Sequence, residues 1–520
     1  MRRFAVPDVA GRLFFTVWLV YVLHAGTNVV RETYLAIALV DRHSVRVDDY
    51  LGLNPDLFVI DGRGAFINNN PGASIMAAVP YAVARPLFDV LFRLNPELVR
   101  PKPPASYDDP RPNRTRFMNE ARARGLDVKL ALAALAIQAG LMAPLGALAA
   151  ATLLLFLRAR LGDERQATWL ALLYAFGTPI FFRSAYLNQN AIIAHCVLWA
   201  YVLAVGLAPT RVGESTPPWR LWGAGGLLGL AVLCDYSSVP ILFVFGAWVV
   251  VVAATSQGPK RALHASGWFV LGAAGPIAVL LAYQWVAFGN PFLPAQAYMP
   301  ATPYSVRGWY GMAWPSPDLL WRNVFDPAYG LFVFCPMLVA AFSAPLLRWR
   351  PESPSRAELV LIFAVFGVLY LFSSANQFAA LQWNTGVRYL VPATPLLFCA
   401  LAPVLLRLPR AVMYFVVVPT VAISWSVAMV RETVPVSLGR VLLGGFELPW
   451  LSVLRKTASA YAPFLENGTS PVPIFCLVAV ILWLVWRQGN RGSQRSLPAP
   501  ISHGEFGKRA PMKSHASQER

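Results

Sequence analysis

Charged residues are scarce in this sequence. They make up 13% of the 520 residues, against about 25% in a typical soluble domain. Hydrophobic residues make up 57%, and the mean hydropathy is +0.50. These values exclude an ordinary soluble protein and predict a membrane protein. The net charge of +18 is then expected to mark cytoplasmic loops, and it does not indicate a nucleic-acid partner.

Cysteines are also few, and their spacing excludes the usual cysteine chemistry. The five cysteines lie singly inside apolar segments, without a CxxC pair. This pattern is typical of small buried side chains and predicts neither a disulfide framework nor a metal site.

Long apolar runs are abundant, and many approach the ~20 residues that an α-helix needs to cross a bilayer. We predict an all-α, polytopic fold with about twelve transmembrane helices. The N-terminal segment resembles a signal peptide but lacks a cleavage motif before Arg31, so we expect an uncleaved first helix. The predicted spans are 13–30, 129–157, 167–182, 190–208, 221–235, 239–255, 266–287, 329–347, 358–374, 389–406, 411–430 and 472–486.

The segment 73–94 is apolar but is interrupted by Arg85, Pro86 and Asp89. If it does not span, the arginine-rich short loops all fall inside, as the positive-inside rule requires, whereas a span here would invert them. We therefore predict an interfacial amphipathic helix.

The resulting topology places both termini in the cytoplasm. It divides the chain into a membrane domain, 1–487, with a large outer loop at 31–126, and a basic, disordered cytoplasmic tail, 488–520. The expected location is the cell (inner) membrane, with the functional site on the outer face.

Carboxylates follow the first span. Glu32 lies where this helix leaves the bilayer, beside Arg31, and Asp48 and Asp49 follow in the outer loop. A carboxylate at a low-dielectric boundary can accept a proton from a hydroxyl group. The alternative is an interfacial charge and a solvated turn.

The stretch "DGRGAFINNNPG" combines turn residues, including Asp61 and Asn70, with the start of the 73–94 helix. Polar groups beside a helix N-terminus favour an anionic phosphate. A plain connecting loop is the alternative.

Two further outer regions carry polar residues. Gln382, Arg388 and Tyr389 lie at the mouth of a span, where an arginine can bind a lipid phosphate through its planar fork. Tyr389 is equally typical of an interfacial aromatic belt. His195 and Asp235 lie at outer helix ends, where they could contact substrate or act as structural hydrogen-bond partners.

Three blocks in order resemble integral-membrane glycosyltransferases of the GT-C class, which use polyprenyl-phosphate-linked sugars and include bacterial relatives of dolichyl-phosphate-mannose–protein mannosyltransferases. The blocks are the acidic motif after the first helix, "DGRGAFINNNPGASIMAAVPY" and "QWNTGVRYLVPATPLL". The short segments "FGNPF" and "YGLFVFCP" also match, so the resemblance covers about residues 31–400.

The resemblance implies inverting transfer of a hexose or pentose from the lipid carrier to a glycan, lipid or protein acceptor of the cell envelope. It places Glu32 at the position of the general base, with Asp48 and Asp49 as rivals, and Arg388 at the lipid phosphate. Arg31, Asp61, Asn70, His195, Asp235, Gln382 and Tyr389 are the other expected substrate contacts. The family often has Asp-Glu after the first helix, where this chain has Arg31-Glu32. No metal or other cofactor is expected.

A transporter or flippase of lipid-linked sugars is the alternative function. Transporters favour ionisable groups at the bilayer midplane and two related halves. Here the polar residues gather at outer helix ends, and we find no internal repeat, which favours the enzyme.

Overall fold

The computed structural model of the chain describes residues 8–104, 112–207, 216–347, 353–381, 388–457 and 470–494. Most of the predicted tail, after residue 494, lies outside these ranges.

Helices dominate the described residues. The first ten are α1 (Val9–Leu23), α2 (Arg31–Asp41), α3 (Gly72–Leu94), α4 (Pro112–Ala123), α5 (Asp127–Ile137), α6 (Ala143–Leu161), α7 (Glu164–Gly177), α8 (Pro179–Arg183), α9 (Gln189–Val205) and α10 (Pro218–Cys234). The others are α11 (Val239–Gln257), α12 (Pro259–Phe288), α13 (Pro317–Phe325), α14 (Leu331–Phe334), α15 (Arg356–Ala375), α16 (Thr394–Leu405), α17 (Arg410–Val430), α18 (Val434–Gly444), α19 (Pro449–Thr457) and α20 (Val472–Gln494). A π-helical turn, Gln138–Met142, joins α5 and α6 into one continuous helix.

The predicted all-α, multi-pass membrane fold is confirmed. Within the described residues, six helices are long and apolar enough to cross a membrane, and further apolar helices are shorter. Every predicted span overlaps helical structure, but α1 ends at Leu23, seven residues before the end of the predicted span 13–30. The segment 329–347 is irregular, because it consists of the short α14 followed by a 3-10 helix, Pro336–Leu346, with prolines at both ends.

The first outer loop contains more than the predicted interfacial helices. Between α2 and α3 lies an antiparallel hairpin of β1 (Leu57–Ile60) and β2 (Gly64–Ile67), in which Leu57 pairs with Ile67. The predicted turn falls between the strands, and Gly62 adopts the left-handed backbone conformation (φ +73°) that such a turn requires. Phe66 packs against Phe288, so the hairpin docks on the end of α12.

Several loops meet at one end of the helix bundle, which we call the polar end. The amide of Gln138 donates to the carbonyls of Tyr21, near the end of α1, and of Ser184, just after α8. The end of α10 lies there too, since Asn70 donates to the Val232 carbonyl at 2.8 Å.

The start of α3 packs on the end of α10, and the chain that follows α3 packs beside the start of α5. The first residue of α3, Gly72, packs so closely on α10 that a Cβ there would lie 2.6 Å from the Leu233 carbonyl oxygen. The chain just beyond its last turn, at Val99, packs on Gly125, just before α5. By length and composition α3 is one of the six helices that could span, and its placement along the membrane surface stays a prediction.

Candidate functional site

Glu32 lies in the first turn of α2 and is 2% exposed. Its Oε1 accepts a hydrogen bond from the Asn69 amide at 2.5 Å and lies 3.4 Å from the Arg31 guanidinium. Within the described residues Oε2 makes no hydrogen bond. The carboxylate is therefore held by one oxygen, and the other oxygen is the one that a substrate can use.

Arg31 links this carboxylate to the acidic loop. Its guanidinium pairs with Asp56 as well as with Glu32. Burial alone would lower the pKa of Arg31, but the two carboxylates raise it above its ordinary value. Arg31 therefore stays charged and fixes the start of α2.

Arg388 ends the loop before α16 and lies 5.2 Å from the centre of the Tyr389 ring. Burial opposes its charge, but Tyr389, Tyr186, Glu32 and Asp235 raise its pKa above the ordinary value. The predicted base, Glu32, and the predicted phosphate ligand, Arg388, thus belong to one electrostatic cluster.

Tyr186 lies at the centre of this cluster. Its hydroxyl oxygen accepts hydrogen bonds from Arg183 at 2.9 Å and Asn188 at 3.1 Å. The Arg431 guanidinium lies over the ring, 4.7 Å from its centre. Burial raises the pKa of Tyr186, but Arg183, Arg431 and Arg388 together lower it to about 8. Three guanidinium groups therefore surround one phenol.

Arg431 reaches the cluster through an unusual backbone conformation. It ends α17 in the left-handed region (φ +65°), which costs a non-glycine residue roughly 1–2 kcal/mol. Its side chain is only 4% exposed and lies against Gly26, where any Cβ would collide with the guanidinium. Backbone strain of this kind clusters at functional sites.

The pKa of Arg183 is set by opposing effects within the cluster. Burial lowers its pKa, and the charge of Arg388 lowers it further, while Tyr186 opposes both. Like charges buried close together favour an additional anion. This region therefore has the chemistry of an anion site beside a carboxylate.

Asp235 follows α10, where its side chain accepts from the Ser237 amide at 2.8 Å while its charge acts on Arg388. The Asn70 amide donates its hydrogen bond to the Val232 carbonyl of α10. His195 lies fully buried inside α9, and neither ring nitrogen has a hydrogen-bond partner in the described part of the chain.

The remaining predicted acids lie elsewhere. Asp48 accepts from the Ala65 amide at 2.7 Å and pairs with Arg46, while Asp49 pairs with Arg42. Asp61 is exposed in the hairpin turn.

Gln382 lies outside the described residues. The start of α3, predicted as a phosphate site, packs against the backbone of α10 at Gly72.

Sequence reasoning did not assign Arg183, Tyr186, Asn69 or Arg431 to the site. A signal for Arg431 was present, since the tetrapeptide VRET occurs both at 30–33 and at 430–433, each time near the outer end of a predicted span. Arg183 was recognisable as a rare cation in a short outer connection.

No group of three or more His, Cys, Asp and Glu side chains in the described ranges could hold a metal ion. The expectation of a metal-free site stays a prediction.

Comparisons with known proteins give only distant likenesses. No protein-family model matches the sequence, and no curated protein matches it. Among solved structures the chain is similar to ArnT from Cupriavidus metallidurans, bound to undecaprenyl phosphate (TM-score 0.46, 13% identity) and in the apo state (TM-score 0.45, 14% identity). The matches cover 92% of this chain and 76% and 75% of those chains. Likeness at this level assigns neither a family nor an activity, so the function has to be inferred from the site itself.

Proposed function

We propose that the protein is a glycosyltransferase that transfers a sugar from a polyprenyl-phosphate carrier to an envelope acceptor at the polar end of the bundle. One observation carries this proposal: Arg388 is stabilised in its charged form by both Glu32 and Tyr186, and Tyr186 is itself contacted by Arg183 and Arg431. The resemblance of the outer-loop blocks to GT-C enzymes supports the same function.

Three arginines supply the phosphate site in this proposal. Guanidinium groups bind phosphate oxygens through charge-assisted, often bidentate, hydrogen bonds. Arg183, Arg388 and Arg431 come from three separate segments of the chain, so a phosphate between them would be contacted from several directions.

Glu32 acts as the general base. Its Oε2 takes the proton from the acceptor hydroxyl as that oxygen attacks the anomeric carbon. The bond from this carbon to the phosphate oxygen breaks, and the electron pair leaves with the phosphate, which the arginines stabilise. Attack opposite the leaving group inverts the anomeric centre. The phosphate is a good leaving group, so one base suffices.

Release of the lipid product tests the activity without knowledge of the donor sugar. Purified protein, supplied with polyprenyl-phosphate sugars and an envelope extract as acceptor, should release free polyprenyl phosphate and label the acceptor. The release should depend on the acceptor. Movement of intact lipid-linked sugar across proteoliposomes, without release, would instead identify a carrier.

The polar end is proposed to face outward, with both termini cytoplasmic and α3 along the membrane surface. Single cysteines at Asn54 and Asn95, in a cysteine-free background, should react with an impermeant maleimide from outside intact cells. A cysteine at Arg160 should react only after permeabilisation. Opposite accessibility of positions 54 and 95 would show that α3 spans.

Tyr186 predicts the pH dependence of transfer. Below its pKa of about 8 the neutral phenol can donate to phosphate, whereas above it the phenolate repels the anion. We expect the transfer rate to fall above about pH 8 in the wild type, and Tyr186→Phe to remove this decline. The charged groups acting on the phenol are Arg183, Arg388 and Arg431.

A spectroscopic titration provides an independent readout. The near-ultraviolet tyrosinate signal of the wild type should contain a component near pH 8 that Tyr186→Phe lacks and the outer-loop variant Tyr304→Phe retains. An unchanged alkaline decline in Tyr186→Phe would assign that decline to another group.

A further inference from the structure

A second polar region lies at the opposite end of α2 from Glu32. Asp41, in the last turn of α2, is about 14 Å from Glu32 along the axis at 1.5 Å per residue. The residues between them, such as Leu35 and Ile37, are fully buried, so the two regions are separate.

Two adjoining hollows make up this region. A cavity of about 490 Å³ between α2, α3 and the start of α5 has Asp41, Tyr81 and Lys129 in its wall. A shallower groove of about 640 Å³ is lined by His43, Val90 and Arg93. Arg85 and Asp89 border both. The cavity alone has the size of a small-ligand site.

An exposed apolar stripe runs along α3 beside the groove. Val79, Val83, Leu87 and Leu94 are 65%, 79%, 69% and 74% exposed. Each residue turns a helix by about 100°, so the cavity wall, the groove and the stripe follow one another in that order around α3. Val90 lines the groove and also belongs to the stripe.

The cavity's cations are paired with carboxylates. Lys129 lies 2.7 Å and Arg85 3.1 Å from Asp41, which also accepts from the Tyr81 hydroxyl. The other cation–carboxylate pairs are Arg42–Asp49, Arg46–Asp48 and Arg124–Glu120.

Arg93 is different. Within the described residues it makes no ion pair or hydrogen bond, although it lines the groove directly beside the apolar stripe. An unpaired guanidinium next to an apolar helix face fits a ligand that carries both an anion and hydrocarbon chains.

We propose that this groove binds the phosphate headgroup of an anionic membrane lipid. Arg93 contacts the phosphate, the acyl chains lie along the α3 stripe, and the rest of the headgroup extends past Arg85 into the cavity. A soluble anion would use Arg93 but leave the stripe uncovered, which is why we assign a lipid. The site does not depend on the proposed transfer activity.

Native mass spectrometry of the full chain tests this site. The protein is exposed in detergent to phosphatidylglycerol and phosphatidylcholine with the same acyl chains. The wild type should retain phosphatidylglycerol preferentially, and Arg93→Gln should lower that preference about tenfold, as expected for one charge-assisted hydrogen bond. Arg93→Lys, which keeps the charge, should retain part of it.

The matched control is Arg165→Gln, which removes an exposed arginine in the first turn of α7. Equal lipid retention in the wild type and Arg93→Gln, or an equal loss in the control, would overturn the proposal. Displacement of the lipid by millimolar glycerol phosphate would also overturn it, because the site would then recognise phosphate without hydrocarbon. Thermal melting of each variant shows whether it is folded.

Discussion

Glu32→Gln should abolish most sugar transfer while leaving the protein folded. Glutamine keeps the size of the side chain and can still meet the Asn69 amide through its carbonyl oxygen, but it cannot take a proton. Loss of a general base typically lowers the rate by about 10²–10⁴-fold. The effect should fall on kcat, because the base acts on the acceptor as the bond forms. Acceptor-dependent release of polyprenyl phosphate is the measurement.

The matched control is Glu97→Gln, an exposed carboxylate of the same outer loop that pairs with Arg100. It should transfer at the wild-type rate. The rival acids provide a second comparison. Asp48 is held by the Ala65 amide and Arg46, so Asp48→Asn should lower stability more than the rate of the chemical step.

Full turnover in Glu32→Gln would show that another residue is the general base. If Asp48→Asn were then inactive yet folded and able to bind donor, Asp48 would be the base. Donor binding without turnover in the wild type would favour a carrier.

Arg388→Ala should weaken use of the lipid-linked donor by about 1–3 kcal/mol, which corresponds to roughly 5- to 150-fold. Arg388 is the cation on which Glu32, Asp235, Tyr186 and Tyr389 all act. Its removal takes away a phosphate contact and also leaves these groups without their shared cation. The loss should appear mainly in donor KM, in contrast to Glu32→Gln.

Arg388→Lys should recover only part of the donor binding, because an ammonium cannot make the planar bidentate contact of a guanidinium. A polyprenyl phosphate without a sugar is a suitable binding probe, because it carries the phosphate that Arg388 is proposed to contact. Arg322→Ala is the matched control, since Arg322 is an exposed arginine paired with Asp318 on α13. Donor affinity equal to wild type in both Arg388 variants would exclude Arg388 from the phosphate site.

The sequence was sufficient for the membrane class and the helical segments. Hydropathy is a local property, and a buried or lipid-facing helix must satisfy its backbone hydrogen bonds within its own segment. Runs such as 239–255 and 358–374 therefore predicted α11 and α15 without knowledge of their neighbours. The turn at Gly62 and the start of α3 after Pro71 were also recognisable, because their backbone conformations depend on a few adjacent residues.

The β-hairpin and the irregular 329–347 segment were not predicted. The hairpin strands are only four residues each, too short for an alternating pattern, and their stability depends on contacts with α12. In the irregular segment, Pro336 lies after a four-residue helix, and proline prevents the continuous hydrogen bonding that hydropathy alone leads one to expect.

The sequence by itself determined that this is an all-α membrane protein, and it predicted Glu32 and Arg388 as base and phosphate ligand, roles that stay predictions. Only the tertiary structure decided which residues accompany them. Tyr186 meets Arg431 across 245 positions of the chain, and such a contact depends on how helices pack, which no local pattern encodes.

The structure likewise distinguished Glu32 from Asp48. Glu32 is buried and accepts from Asn69 through one oxygen, whereas Asp48 uses both oxygens, on Ala65 and Arg46. Such surroundings depend on packing and not on spacing from a helix end.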